Sequence, residues 1–276
     1  MLYDRRDGPL IRLAAGDIHL WLADYEQITD ARLHGLYRQI LSDDERHQEP
    51  RFYFAKDRRR YLVTRALLRT VLSRYAAIPP ASWTFSTNAY GRPEIANVDA
   101  SPRQLSFNIS HTHSLIVLGI THRRALGVDV ENVKTRRAAL EIADRFFAPT
   151  EVAALANLEY DARHYRFFEY WTFKESYIKA RGMGLALPLA KFAFRFPHET
   201  QVALDIDSEL ADEPARWHLA QLKPTAEYLV AVCAERVGSQ SPKLSTRWVI
   251  PMREEEALAT KLLRTSEVDD AARRLG

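Results

Sequence analysis

Two shortages narrow the reading at once: the sequence has almost no cysteine and no long hydrophobic run. Cys233 is the single cysteine among 276 residues, so no internal disulfide forms and no paired-cysteine zinc spacing exists. It lies in the apolar run Tyr228-Leu-Val-Ala-Val-Cys-Ala234, where a thiol reads as buried packing rather than as a nucleophile. No apolar stretch approaches the roughly 20 residues a bilayer requires. The opening Met1-Leu-Tyr-Asp-Arg-Arg-Asp-Gly-Pro-Leu10 has no long apolar core, which argues against a secretory signal. Glycine-rich phosphate loops and dinucleotide fingerprints are missing too. The expectation is a cytoplasmic protein without membrane contact.

What is present is ordinary globular material. Apolar residues make up 46% of the chain, which places it far from disorder and allows one large domain or two small ones. The net charge of +3 hides an asymmetry. Arg58, Arg59, Arg60, Arg65, Arg69 and Arg74 crowd one short stretch, whereas Glu254-Glu-Glu256 and Glu267-Val-Asp-Asp270 lie near the end. A basic stretch attracts phosphate, nucleic acid or an acidic protein, although most of these arginines suit a solvated helix face.

Hydrophobic periodicity divides the chain into similar halves. Ile18 to Ala23 alternates as a strand does. Residues from about Asp57 to Ala76 follow a helical period, with Leu68, Val71, Leu72 and Tyr75 on one stripe, and Pro79-Pro80 prevents continuation. Strand-like runs follow at 83–86, 106–109, 115–120 and 125–131. The second half repeats the order: a helix from about His164 to Arg181, stopped by Gly182, Gly184 and Pro188, then strands at 192–196, 217–222 and 228–234. Helix, turn and strand meander twice over predict an α+β fold of two related lobes, 1–123 and 124–237. Residues 238–276 read as a charged, helical tail with no assigned chemistry.

Three stretches carry groups suited to chemistry. In Gly127-Val-Asp-Val-Glu131, strand alternation sends Asp129 and Glu131 to one face and the two valines to the other. Adjacent carboxylates repel, so the pair is either solvated or neutralised by a hard cation such as magnesium. In Tyr170-Trp-Thr-Phe-Lys-Glu-Ser-Tyr-Ile-Lys-Ala180, Glu175 and Lys179 share a helix face, a spacing equally common in surface ion pairs. Glu151, after Pro149-Thr, either starts a helix or adds a carboxylate. In Phe107-Asn-Ile-Ser-His-Thr-His113 the neighbours Ser110 and His111 point apart along an extended segment, which suits ligand binding better than a nucleophilic dyad. The turn Asn88-Ala-Tyr-Gly-Arg-Pro93 projects Arg92.

In this order, Tyr-Gly-Arg-Pro, Phe-Asn-Ile-Ser-His, Gly-Val-Asp-Val-Glu and Trp-Thr-Phe-Lys-Glu-Ser-Tyr-Ile-Lys resemble the Sfp-like group of the 4′-phosphopantetheinyl transferase superfamily. The resemblance spans roughly residues 18–235. It implies a two-lobed pseudo-dimer, each lobe a small sheet packed with helices, with the active site in the cleft between them. It implies transfer of the 4′-phosphopantetheine arm of coenzyme A to a serine of an apo carrier protein, acyl, peptidyl or aryl, releasing 3′,5′-ADP. By motif match, Asp129, Glu131 and Glu175 hold Mg2+, Glu175 and Lys179 are catalytic, and Lys179 contacts phosphate. Ser110 and His111 bind near the adenosine 3′-phosphate, and Arg60 and Arg92 clasp phosphates or the adenine end. The partners implied are coenzyme A and the acidic helix surface of a carrier, with no nucleic acid, and the chain is expected to be a monomer.

Departures from the family pattern occur as well. Arg92 stands where lysine is frequent, and Thr112 where serine is frequent. Glu45 and Gln48 replace lysines of some members, leaving Arg46 or Arg51 as substitutes. Two rival readings use the same residues: a magnesium-dependent phosphohydrolase, and a non-catalytic module that binds coenzyme A or a carrier.

Overall fold

The computed structural model describes residues 9–98, 104–135, 140–238 and 241–266. The chain is α+β and divides into two compact units. Unit 1 holds residues up to Asn88, Pro93–Arg123 and Lys243–Leu258; unit 2 holds Ala89–Arg92, Arg124–Pro242 and the residues from Ala259.

Unit 1 starts with strand β1 (Asp17–Asp24), whose six central residues are buried. Two further helices follow: α1 (Ala31–Ile40), whose Leu33, Leu36, Tyr37 and Ile40 keep the helical period, and α2 (Asp43–Gln48), which is polar throughout. Both begin at side-chain caps. Asp30 accepts from the amides of Arg32 and Leu33, and Ser42 forms a reciprocal capping box with Glu45. Helix α3 (Ala55–Leu72) buries Leu62, Val63, Ala66, Leu67, Val71 and Leu72 along one side. Arg69 departs from the solvated face expected of it. It is 2% exposed, and its Nε donates to Glu45 Oε2 at 2.8 Å while a terminal nitrogen reaches the carbonyls of Pro80 and Trp83.

The hairpin β2 (Phe85–Thr87) and β3 (Pro93–Ile95) precedes β4 (Leu105–His111) and β5 (Leu115–His122). β5 pairs antiparallel with both β1 and β4. A cavity of about 800 Å³ in this unit, walled by Trp21, Leu36, Val71, Ile78, Val249 and Met252, contains none of the motif residues.

Unit 2 contains strand β6 (Leu126–Asn132), helices α4 (Leu140–Phe146), α5 (Pro149–Ala156) and α6 (Tyr160–Arg181), and the hairpin β7 (Phe192–Arg195) and β8 (Ala203–Ile206). Strands β9 (Trp217–Lys223) and β10 (Tyr228–Glu235) complete it, with β10 antiparallel to both β6 and β9. Its core is aromatic: Phe167, Phe173, Tyr177, Phe192 and Trp217 are all nearly inaccessible. Cys233 is fully buried there, and burial pushes its thiol pKa up, which makes it inert.

Among the described residues the tail is not helical. After β10 the chain forms β11 (Lys243–Ile250) and β12 (Glu254–Ala257) in unit 1, then β13 (Lys261–Thr265) in unit 2. β11 lies parallel to β1, giving a sheet of order β12-β11-β1-β5-β4, and β13 joins a sheet of order β13-β9-β10-β6. Glu254-Glu-Glu256 belongs to the edge strand β12, where Glu254 and Glu256 are exposed and Glu255 accepts from Arg74 at 3.3 Å. Glu267–Asp270 lie outside the described residues. Among the described residues, no helix is long and apolar enough to cross a membrane.

Candidate functional site

Strand β6 is an edge strand with every residue buried, so something other than a neighbouring strand must cover it. Helix α6 does this. A Cβ placed on Gly127 would lie 1.9 Å from the Ser176 carbonyl oxygen and 2.4 Å from the Ala180 amide nitrogen. Only glycine lets the helix backbone come this close. Residues 127, 129 and 131 share a strand face, so the contact that seats α6 on Gly127 also sets Asp129 and Glu131 against it.

From α6, Lys179 reaches across. Its Nζ donates to Asp129 Oδ1 at 2.6 Å and to the Val128 carbonyl at 3.1 Å. Glu175, one turn earlier, feels the same acids. Its carboxyl is pushed up to about 7, first by burial and then by the negative charge of Asp129, with Lys179 opposing and Glu131 adding to the rise. Asp129 and Glu131 are only 5% and 4% exposed. Three acids and one ammonium therefore share a poorly hydrated face. The acids are coupled through their charge rather than gathered into a cage, for among the described residues no three Asp, Glu, His or Cys side chains stand close enough to hold a metal ion.

Arg92 belongs to the same unit. Its guanidinium donates to the carbonyls of Lys179 and Ala180, at 3.4 and 3.3 Å. These are among the last carbonyls of α6, where a cation complements the helix dipole. The helix stops at Gly182, in the left-handed conformation with φ 66°.

The remaining candidates stand in unit 1. Ser110 is buried and His111 exposed at the end of β4, on opposite faces as the alternation requires. Arg60 on α3 pairs with Asp57 at 3.1 Å, one turn earlier. The departure at position 45 has a local cause, since Glu45 caps α2 and neutralises buried Arg69. Arg46 is drawn to Asp43 and the Leu41 carbonyl, and Arg51 donates to Gln48 at 3.3 Å.

Glu151 starts a helix and does not join the other acids. It is the third residue of α5, and its Oε2 accepts from the Ala148 amide at 3.1 Å. Its Oε1 accepts from the Phe194 amide at 2.9 Å, and Lys174 Nζ lies 2.7 Å from Oε2. Both side chains of that ion pair are wholly buried, and Lys174 also donates to the carbonyls of Leu189 and Phe192. Burial pushes Glu151 up and Lys174 down, each toward neutrality, against the attraction between them. Local spacing does not single out Lys174. The available signal was a lysine inside a run of aromatic helix positions, since such a lysine needs a buried partner.

Within unit 2, paired strand carboxylates face a helix that carries a glutamate and a lysine, a set of oxygen ligands and counter-charge suited to phosphate chemistry. Comparison with known proteins gives this chemistry its family. Residues 125–233 match the model of the 4′-phosphopantetheinyl transferase superfamily, and residues 29–122 match that of the 4′-phosphopantetheinyl transferase N-terminal region. The chain is 32% identical over 234 residues to the 4′-phosphopantetheinyl transferase HetI of Nostoc sp. strain PCC 7120, covering 84% of this chain and 93% of that protein. It is 33% identical over 198 residues to the 4′-phosphopantetheinyl transferase Sfp of Bacillus subtilis strain 168, covering 72% and 84%. A phosphopantetheinyl transferase of Thraustochytrium sp. is 30% identical over 235 residues, covering 79% and 80%. The chain belongs to the 4′-phosphopantetheinyl transferase superfamily and is a transferase enzyme.

Proposed function

We propose that this chain moves 4′-phosphopantetheine from coenzyme A to the serine hydroxyl of an apo carrier protein, with Mg2+ held by Asp129, Glu131 and Glu175. The observation that carries this is the charge on the β6–α6 face: three coupled acids, one of them pushed up to about 7, with Lys179 as the ammonium seated on Asp129. The donor set has the chemistry a hard dication requires, oxygen ligands and excess negative charge, and its three carboxylates would have to draw together to share one ion. When bound, it neutralises the pyrophosphate of coenzyme A.

The chain's own side chains account for the rest. The serine Oγ–phosphorus bond forms as the pyrophosphate P–O bond breaks. The serine proton passes to Glu175, directly or through water, and 3′,5′-ADP departs as an anion. Lys179 turns from Asp129 to the departing phosphate and offsets its charge. Motif match alone assigns the 3′-phosphate and adenine end of the substrate to Ser110, His111, Arg60 and Arg92. The enzyme acts as a cytoplasmic monomer.

The test is incubation with coenzyme A, Mg2+ and apo acyl, peptidyl and aryl carriers, followed by intact mass spectrometry. Each productive carrier gains one phosphopantetheine. The transferase reading fails if no carrier gains mass while the folded protein still binds coenzyme A. Nucleotide release without any carrier identifies a phosphohydrolase instead.

A further inference from the structure

Tyr53 and Phe54 are neighbours in the sequence, yet 86% and 59% of their surfaces face water. Two adjacent large aromatics left outside, in a chain that buries most of its others, mark a surface for another molecule. The loop that carries them is built to hold them there. One guanidinium nitrogen of Arg58 donates to the carbonyls of Phe52 and Tyr53, at 3.0 and 3.3 Å. Phe52 turns the other way and meets Tyr61 with ring centroids 5.2 Å apart. Phe54 is the residue on which α3 starts, its carbonyl accepting from the Arg58 amide at 3.1 Å. A backbone pinned in this way loses little freedom when the surface it carries is covered.

The electrostatics around the pair are one-sided. Residues 51–60 contain five cations (Arg51, Lys56, Arg58, Arg59 and Arg60) and one acid, Asp57, which Arg60 already engages. Arg51 and Lys56 flank the aromatics and are exposed. Of the acids in the preceding segment, Glu45 pairs with Arg69, Glu49 with Arg38 at 2.7 Å and Asp43 with Arg46, while Asp44 is exposed. An apolar centre of Tyr and Phe with a basic rim is the composition of a protein-binding hot spot. The two rings meet edge to face at 5.0 Å and 90°, each occupying the other, so they do not offer the open parallel platform on which a nucleobase stacks.

We propose that Tyr53 and Phe54, rimmed by Arg51 and Lys56, are the docking surface for the carrier protein and receive an acidic amphipathic helix. The apolar stripe of that helix covers the rings, and its carboxylates meet the two cations. This rests on the transferase reading above.

The test is steady-state kinetics on an apo carrier that the unaltered chain modifies. The double variant Tyr53→Ser/Phe54→Ser raises the KM for carrier by about 10- to 30-fold. It leaves the KM for coenzyme A, kcat at saturating carrier and the melting temperature unchanged. Arg51→Glu/Lys56→Glu raises the KM for carrier at low salt, and the difference narrows as salt shortens the screening length. An unmoved KM for carrier in the Ser variant overturns the proposal while leaving the transferase reading intact. So does an equal rise in the KM for coenzyme A. If the unaltered chain modifies no carrier, both readings fall together. Retention of a single-stranded oligonucleotide, lost in the Ser variant while the KM for carrier stays put, overturns the proposal in favour of nucleic acid.

Discussion

Lys179 Nζ lies 2.6 Å from Asp129 Oδ1, although fifty residues separate the two in the chain. The ammonium occupies part of the negative face that a dication would otherwise claim. Lys179→Met is therefore expected to tighten Mg2+ binding in the absence of coenzyme A, by about tenfold, as the opposing charge is removed. Turnover is expected to fall by about a hundredfold or more, because the departing phosphate loses its counter-charge. Calorimetric titration with Mg2+ and mass-resolved turnover are the measurements. Weakened Mg2+ binding in the variant removes Lys179 as a competitor for that face.

Glu175 ties stability to pH. Its folded pKa, about 7, lies above the ordinary carboxyl value of 4.5 that it regains on unfolding. Between those values the folded state binds more protons, so stability falls as pH rises through that window and stays low above it. Glu175→Gln removes the effect. In the metal-free protein the variant is expected to match the parent near pH 4.5 and to exceed it at pH 8, by at most about 3 kcal/mol. Urea melts across this range read the gain. A gain that is the same at every pH would place its origin elsewhere.

Gly127 tests whether the site depends on the seating of α6. In Gly127→Ala the added methyl group has nowhere to go except into the helix backbone. The substitution is expected to cost about 3 kcal/mol and to lower activity at temperatures where the protein remains folded. Thermal melts and turnover at low temperature separate the two losses. Gly35, where an added Cβ meets nothing within 4 Å, is the control, and Gly35→Ala should be tolerated.

The Glu151–Lys174 pair should matter to folding and not to metal. Lys174→Met leaves a buried carboxylate without its partner and is expected to cost about 3–5 kcal/mol, whereas Glu151→Leu/Lys174→Met regains much of the loss. A denaturation cycle over the two singles and the double gives the coupling. If Glu151→Gln abolishes Mg2+ binding in protein that is still folded, Glu151 belongs with the other acids after all.

These expectations show where local pattern was enough. Alternation alone put Asp129 and Glu131 on one strand face, and the helical period put Glu175 and Lys179 on one helix face. The strands around Ile18, Leu115 and Tyr228 were equally plain, because each is a buried run with its breaks at the ends. Lys179 could not be assigned to Asp129 from spacing, since an ammonium four residues from Glu175 satisfies the local rule as well. The pairing of Lys174 with Glu151 was hidden for the same reason: it is made through the core, not along the helix. The tail misled by composition. Glu254-Glu-Glu256 is a helix-forming triplet, but here it extends along β11, and tertiary pairing overrides a weak propensity. Helix α1 was legible from its cap at Asp30 and from Leu33, Leu36, Tyr37 and Ile40 at helical spacing, whereas α2 had a start at Ser42 and no apolar residue to follow it.

The parallel pairing of β1 with β11 has a temporal consequence. Asp17 sits opposite Lys243, so one edge of β1 stays open until more than two hundred further residues have been made. Everything in unit 2 up to β10 is synthesised in that interval. Unit 1 therefore cannot finish as an independent early folding event, in spite of holding nearly all of the chain up to Arg123. A contact of such long sequence separation slows the last step of folding, and the nascent chain carries an unpaired strand edge until that step is complete. Truncation near Pro242 would make that waiting state permanent.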